Sequence, residues 1–228
     1  MPWWDPSPIW KGDDAYIIGG GDSLHRFDWD LIKGENTIGC NGAYRHGAHI
    51  CRIVMFGDIL WWDKIGRHKL PEYGGMVVSV CRKLKPGPDQ NWVLRLKHHD
   101  RRELATSGAI TWYGNTGAAA LHLALILGAR RVFLLGFDMK LGGSQDPTRR
   151  DKANYHDERY EDSKAEVYPR FMRQFADLES SRKVMFPDRE IWNVSDVSEL
   201  NVFPKIGLRD HFEGKREGSK WKSKESAA

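Results

Sequence analysis

An α/β protein, with a mostly parallel sheet covered by helices on both faces and a polar lid, is what this sequence of 228 residues predicts. Three observations carry that expectation. Several short apolar runs break off at glycine or a small polar residue, as buried parallel strands do. One alanine- and leucine-rich block has helical character. An uninterrupted apolar strand follows it directly, which is the helix–strand alternation of a parallel sheet. Ligands in such folds gather at the carboxyl ends of the strands.

The elements follow in order. Asp14-Ala-Tyr-Ile-Ile is a β-run that stops at Gly19-Gly20-Gly21, with a polar turn and a helix start expected after it. Asn36–Asn41 and Cys51–Asp58 are further β-runs with polar ends. Residues 118–127 read as a helix, fronted by Asn115-Thr116-Gly117 and closed by Gly128, and Arg131–Asp138 as the apolar strand behind it. Lys140–Arg173 holds eight bases and seven acids with few aliphatic residues, and is read as a lid with a helix at its end. Phe186–Val194 resembles a last strand, with a short turn or helix over Ser195–Phe203. The expectation is one domain over residues 1–212, its lid at about 140–173, and a disordered basic tail over 213–228.

Composition removes several classes. Cys40, Cys51 and Cys81 are odd in number and lack CxxC spacing, which disfavours a disulfide framework or a zinc ribbon. No apolar run approaches the ~20 residues of a bilayer span, and the first residues lack the pattern of a signal peptide. A soluble protein of a reducing cytoplasm is therefore expected. Net charge is only +4, so no global polyanion signature exists. Locally, Cys81–Glu103 carries seven bases against three acids, with Trp92, His98 and His99 among them. Such a stretch either faces phosphate or is a solvated basic strand and loop.

The glycine loop is the sharpest local feature. Gly19, Gly20 and Gly21, with Asp22 and Ser23 after them, would let backbone amides and a helix N-terminus approach a nucleotide phosphate. A dinucleotide fingerprint fails, because Leu24 stands at its third glycine and Cys40-Asn41 at its acidic position. Asn41, Asp58, Asn115, Thr116, Gly117 and Asp138 fall at strand or helix termini where one crevice would lie. The asparagines suit a base or ribose, and the two aspartates suit hydroxyls or a divalent ion. Trp61-Trp62 either stacks on a base or packs on a helix flank. His156 has the right chemistry for a general base, with Asp157 or Glu158 to orient it and its flanking Tyr155 as a donor to a leaving phosphate.

On Ile17–Leu24, Cys40-Asn41 and the block Asn115–Asp138, the chain resembles the bacterial sialyltransferases that build lipooligosaccharide, and related phage proteins. The resemblance spans about Ala15–Pro204. It implies a Rossmann-like nucleotide-sugar domain in which the glycine loop and Asn41 touch the nucleotide, Thr116-Gly117 lie near its phosphate or sugar, and a lid histidine, here His156, is the base. Gly20, Asp22 and Met139 depart from the family pattern, so sialic acid is not expected as the sugar. A related branch resembles archaeal pterin pyrophosphokinases, for which Asp58 and Asp138 would be magnesium groups.

The leading expectation is an inverting glycosyltransferase with a nucleotide-sugar donor, His156, Asp138 and Tyr155 being the catalytic candidates. Its acceptor would be a hydroxyl, with a hydroxymethylated base in phage DNA as one case and the host cytoplasm as its place. The alternatives are a magnesium-dependent pyrophosphokinase and a non-catalytic nucleotide-binding phage protein. The metal, the donor sugar and any homo-oligomer stay open.

Overall fold

The computed structural model describes residues 1–85, 87, 90–144, 146–156 and 165–216. Eight strands form one parallel sheet: β1 (Asp14–Ile18), β2 (Thr37–Cys40), β3 (Ile53–Phe56), β4 (Met76–Ser79), β5 (Val93–Arg95), β8 (Arg131–Leu135), β9 (Glu190–Val194) and β10 (Lys205–Ile206). Their spatial order is β10-β9-β8-β1-β2-β3-β4-β5. A separate pair, β6 (Lys97–His99) and β7 (Ala109–Thr111), is also parallel. The chain runs outward from β1 to β5, then returns to the other side of β1 through β8. That reversal makes the crevice between β1 and β8 a topological switch point, the ordinary place for a ligand.

Period-two alternation along the strands supplies two cores. Ala15, Ile17, Ile38, Met55, Val78, Val132, Leu134 and Ile191 pack on one face beneath α3 (Thr116–Ile126) and α4 (Tyr168–Met185). Tyr16, Ile18, Val54, Phe56, Val77, Phe133 and Leu135 pack on the other face. That face is covered by 3₁₀ turns, by α5 (Leu208–Arg216) and by the run from α1 (Ile59–Trp61) to α2 (Arg67–Lys69), π-helical over Trp62–Gly66. Residues Gly117–Ile126 of α3 are buried all round, because the helix lies between the sheet and α4. None of the helices is long and apolar enough to cross a membrane, among the described residues.

Several expectations need correction. No α-helix follows the glycine loop: Asp22–Leu24 is a single 3₁₀ turn, and Arg26 at φ +66° stops helical continuation. Of the turn or helix expected over residues 195–203, the helix is absent and the stretch bends about the Ser195 and Ser198 hydroxyls. Residues 213–216 belong to α5, whose His211 and Phe212 are buried against Tyr16, rather than to a tail. The rest of that expected tail lies outside the described residues.

Candidate functional site

A cleft of about 930 Å³ opens at the carboxyl ends of β1, β2, β3, β4 and β8. Gly19–Gly21, Asn41, Asp58, Asn115–Gly117, Asp138 and His156 all line it. Asp22, Ser23 and Tyr155 do not.

The glycine loop meets β8 backbone to backbone. Gly19 N–H donates to Leu135 O at 2.7 Å and Gly21 N–H to Gly136 O at 2.8 Å. A Cβ on Gly21 would stand 2.6 Å from that same Gly136 oxygen, so the close approach requires glycine there. Two of the three amides expected to cradle a phosphate are thus engaged in holding the loop to the sheet. With no α-helix behind them, the loop lacks the expected macrodipole as well.

The helix terminus on the cleft is instead that of α3. Asn115 caps it, its Oδ1 accepting from Ala118 N–H at 3.1 Å. A helix start leaves its first amides without intrahelical carbonyls, and here those are Thr116 and Gly117. The Asn115 Nδ2 is buried with no hydrogen-bond partner, and so is the Asn41 Oδ1. An unmade buried donor and an unmade buried acceptor, both on cleft residues, are costly unless a ligand completes them. Asn41 (φ +48°) and Met139 (φ +54°) also adopt left-handed backbone where β2 and β8 deliver the chain to the cleft. Conformations of that kind concentrate at binding sites.

The segment bearing His156 is laid across the glycine loop. Gly21 and Asn154 form an antiparallel bridge, and Tyr155 N–H donates to Gly20 O at 3.1 Å. The imidazole then sits over Gly42: a Cβ there would be 2.5 Å from Nε2. Asp157 and Glu158, expected to orient the ring, lie outside the described residues.

The remaining candidates serve other purposes. Asp22 is fully buried, its Oδ1 accepting from Arg149 Nε at 2.8 Å and its Oδ2 from Ser144 N–H at 3.2 Å. It fastens the roof of the cleft and is not presented to a ligand. Asp138, 2% exposed, accepts from the Ser23 hydroxyl at 2.5 Å and the Ser23 N–H at 2.8 Å. Burial raises its pKa while the Ser23 bonds oppose the rise. Asp138 and Ser23 therefore join the turn after β8 to the glycine loop. Asp58 caps α1 by accepting from Leu60 N–H at 2.8 Å. The Tyr155 hydroxyl points away from the cleft to His46 Nε2 at 3.1 Å, within an aromatic group that includes Trp29. Burial raises the phenol pKa further, so the expected donation to a leaving phosphate does not fit its position. Trp61 and Trp62 are 2% and 3% exposed, and Trp62 stacks on Phe56 at 4.9 Å. Both are core residues, and Trp61 also forms part of the cleft lining.

The indole that half-emerges at the cleft is Trp112, whose ring lies over Gly57. No periodicity or motif singles it out in the sequence. Arg82, Lys83, His98, His99, Arg101 and Arg102 of the basic stretch also line the cleft, at its β4 side. Burial lowers the His98 pKa, against the raising effect of its bond to Val80 O. Among the described residues, no group of three or more His, Cys, Asp or Glu is arranged to hold a metal ion. The two carboxylates a magnesium site would use, on Asp58 and Asp138, are engaged in the cap and the Ser23 bonds just described.

No protein-family model matches the chain, and no curated protein does. Among solved structures, the chain is similar to the sialyltransferase CstII from Campylobacter jejuni in complex with the substrate analogue cytidine-5'-monophosphate. The identity is 13%, 86% of each chain is covered and the TM-score is 0.48. It is also similar to CstII in complex with CMP-3FNeuAc, at 13% identity, 85% of each chain and a TM-score of 0.44.

Proposed function

We propose that the cleft is the active site of a glycosyltransferase that moves a sugar from a nucleotide-activated donor to an acceptor hydroxyl. One observation carries this: a buried amide donor on Asn115, a buried amide acceptor on Asn41, the leftover amides of α3 and an imidazole share a single cleft. The amides suit the base or ribose of a nucleotide. The Thr116 and Gly117 N–H groups, at the positive end of α3, suit its phosphate. His156, on the roof, is the one general-base candidate among these groups.

In the transfer, an acceptor oxygen attacks the anomeric carbon from the side opposite the nucleotide. The new C–O bond forms as the bond to the phosphate oxygen breaks, and the phosphate leaves with that electron pair. The acceptor proton goes to His156. A single displacement inverts the anomeric centre. Asp138, Asp22 and Ser23 act in this scheme by holding the loop and roof in place. The engaged Asp58 and Asp138 carboxylates count against the magnesium-dependent pyrophosphokinase reading. The acceptor we favour bears phosphate, a hydroxymethylated base in DNA being the case raised by the sequence.

A thermal-shift screen against nucleotide diphosphate sugars, cytidine monophosphate sugars, and ATP with and without magnesium identifies the donor, since a selective ligand raises the melting point by mass action. With that donor, His156→Ala is expected to lower turnover by roughly 10²–10⁴-fold and leave donor affinity unchanged. Undiminished turnover would remove the histidine from the chemistry. A shift with ATP and magnesium alone would replace the transferase reading.

A further inference from the structure

We infer that the β4 side of the cleft is a second anion subsite, separate from the donor's, that takes the phosphate of the acceptor. It rests on the transferase reading for the word acceptor, but its binding evidence does not. Arg82 and Lys83 follow β4, Arg101 and Arg102 come from the connection between β6 and β7, and Arg170 opens α4; all five line the cleft and are exposed. With Lys140, six Lys and Arg face three Asp around the lining.

The acids offset only part of the positive charge on this side. Asp138 is held by Ser23 and Asp58 caps α1. Asp100 pairs with Arg82, which also donates to His98 Nδ1 at 2.8 Å, so this guanidinium is braced in place. Arg101 lies 3.8 Å from Glu103. Lys83 and Arg102 make no ion pair among the described residues. Trp112, over Gly57, supplies a flat apolar surface between these cations and the centre of the cleft.

Position separates this group from the donor's phosphate. α3 packs most over β2, and also over β7 and β1, whereas β4 lies two strands from β2. At ordinary strand spacing that is roughly 10 Å, so a phosphate held on the α3 amides lies apart from Arg82 and Lys83 where they leave β4. A cleft with charge of one sign at its margin concentrates ligands of the opposite sign. With His156 over Gly42, next to β2, an acceptor held at β4 can extend a hydroxyl inward toward the imidazole.

The test compares the wild-type chain with Lys83→Gln/Arg102→Gln, both positions being exposed, after thermal melts show that the variant folds. Two probes are titrated at several salt concentrations: a short single-stranded oligodeoxynucleotide and a hexose phosphate. The nucleotide sugar found in the screen is titrated in parallel. The expected result is that at least one probe binds the wild type, and that the variant weakens it tenfold or more while nucleotide-sugar affinity is retained. For the oligonucleotide, the slope of log affinity against log salt should shrink by about 1.4, the share of two phosphate contacts on a single strand. Response by the oligonucleotide alone assigns a nucleic-acid acceptor, and by the hexose phosphate alone a phosphorylated saccharide. Binding of neither probe, equal binding by the variant, or an equal loss of nucleotide-sugar affinity overturns the subsite. A salt-dependent, variant-sensitive probe with no nucleotide sugar bound or consumed would instead leave the subsite standing and defeat the transferase reading.

Discussion

Two long excursions from the sheet enclose the cleft, and they are fastened by opposite means. The roof, residues 140–156, is held by a buried ion pair between Asp22 and Arg149, at 0% and 11% side-chain exposure and 2.7 Å. Arg149 also donates to Asn154 O at 2.8 Å, two residues before His156. The wall, residues 100–114, is held by the uncharged ring of His122, fully buried in α3. Its Nδ1 accepts from Thr111 N–H at 3.1 Å and its Nε2 donates to Ala105 O at 2.8 Å. The difference teaches where each excursion is vulnerable. A charged latch fails when one partner is removed, because the other charge stays buried. A neutral imidazole fails when it must take up a proton.

Asp22→Ala should therefore produce the largest effect. It strips Arg149 and the Ser144 N–H of a common acceptor, and removing one partner of a buried pair costs about 3–5 kcal/mol. Urea unfolding would show that loss, and turnover should fall with it as His156 loses its support. A cost below about 1 kcal/mol, the range of exposed pairs, would mean that the roof is not part of the cooperative fold and would break the comparison.

The wall answers to pH. Burial is the main cause that lowers the His122 pKa to about 4, against the ordinary 6.5. The folded pKa thus lies below the unfolded one, and falling pH protonates the unfolded chain first. His122 contributes full stability above about pH 6.5, and that contribution is lost progressively down to about pH 4. The total is on the order of 3 kcal/mol. His46, also lowered to about 4 by burial and then by neighbouring His156, adds to the same slope. Unfolding midpoints between pH 7 and pH 5 measure it. His122→Leu should be less stable at pH 7 and distinctly flatter across that interval. A variant as steep as the wild type would show that the staple is not the source.

The unequal legibility of the molecule follows from the range of its contacts. β1, β2, β3, β8, β9 and α3 could be read because each is an apolar run with a polar or glycine boundary, a local signal. β5 and β6 could not, since Val93–Arg95 and Lys97–His99 are only three residues long and β6 is wholly polar. At the site, Asn41 and Asn115 stand next to an element's end and His156 lies within the polar excursion, and all three were legible as cleft residues from side-chain chemistry. The duties of Asp22 and Asp138 were not, because Arg149 is 127 residues from Asp22, and Ser23 is 115 from Asp138. Asp138, whose carboxylate suggests hydroxyl or metal binding in one dimension, and Asp22, which reads as part of a nucleotide loop, both hold loop to loop in three. Glycine composition marked the close approach after β1 correctly, yet what approaches there is the backbone of β8.

Tyr155 offers the smallest and most discriminating change. It adjoins His156 in sequence, its ring meets that imidazole edge-on at 5.0 Å, and its hydroxyl bonds His46 on the far side from the cleft. Tyr155→Phe keeps the ring and its packing on Trp29 and removes one neutral hydrogen bond, a cost of about 1 kcal/mol. His46 loses a partner for Nε2, so the acid slope should change slightly while the latch at Arg149 is untouched. Turnover should stay within about a factor of two of wild type, since a phenol that never meets the substrate supplies no proton to the transition state. If turnover instead fell as far as in His156→Ala, the hydroxyl would have to swing into the cleft during the reaction. The roof would then rearrange around its ion pair as the donor binds, and the charged latch would be a moving part where the neutral staple of the wall is not.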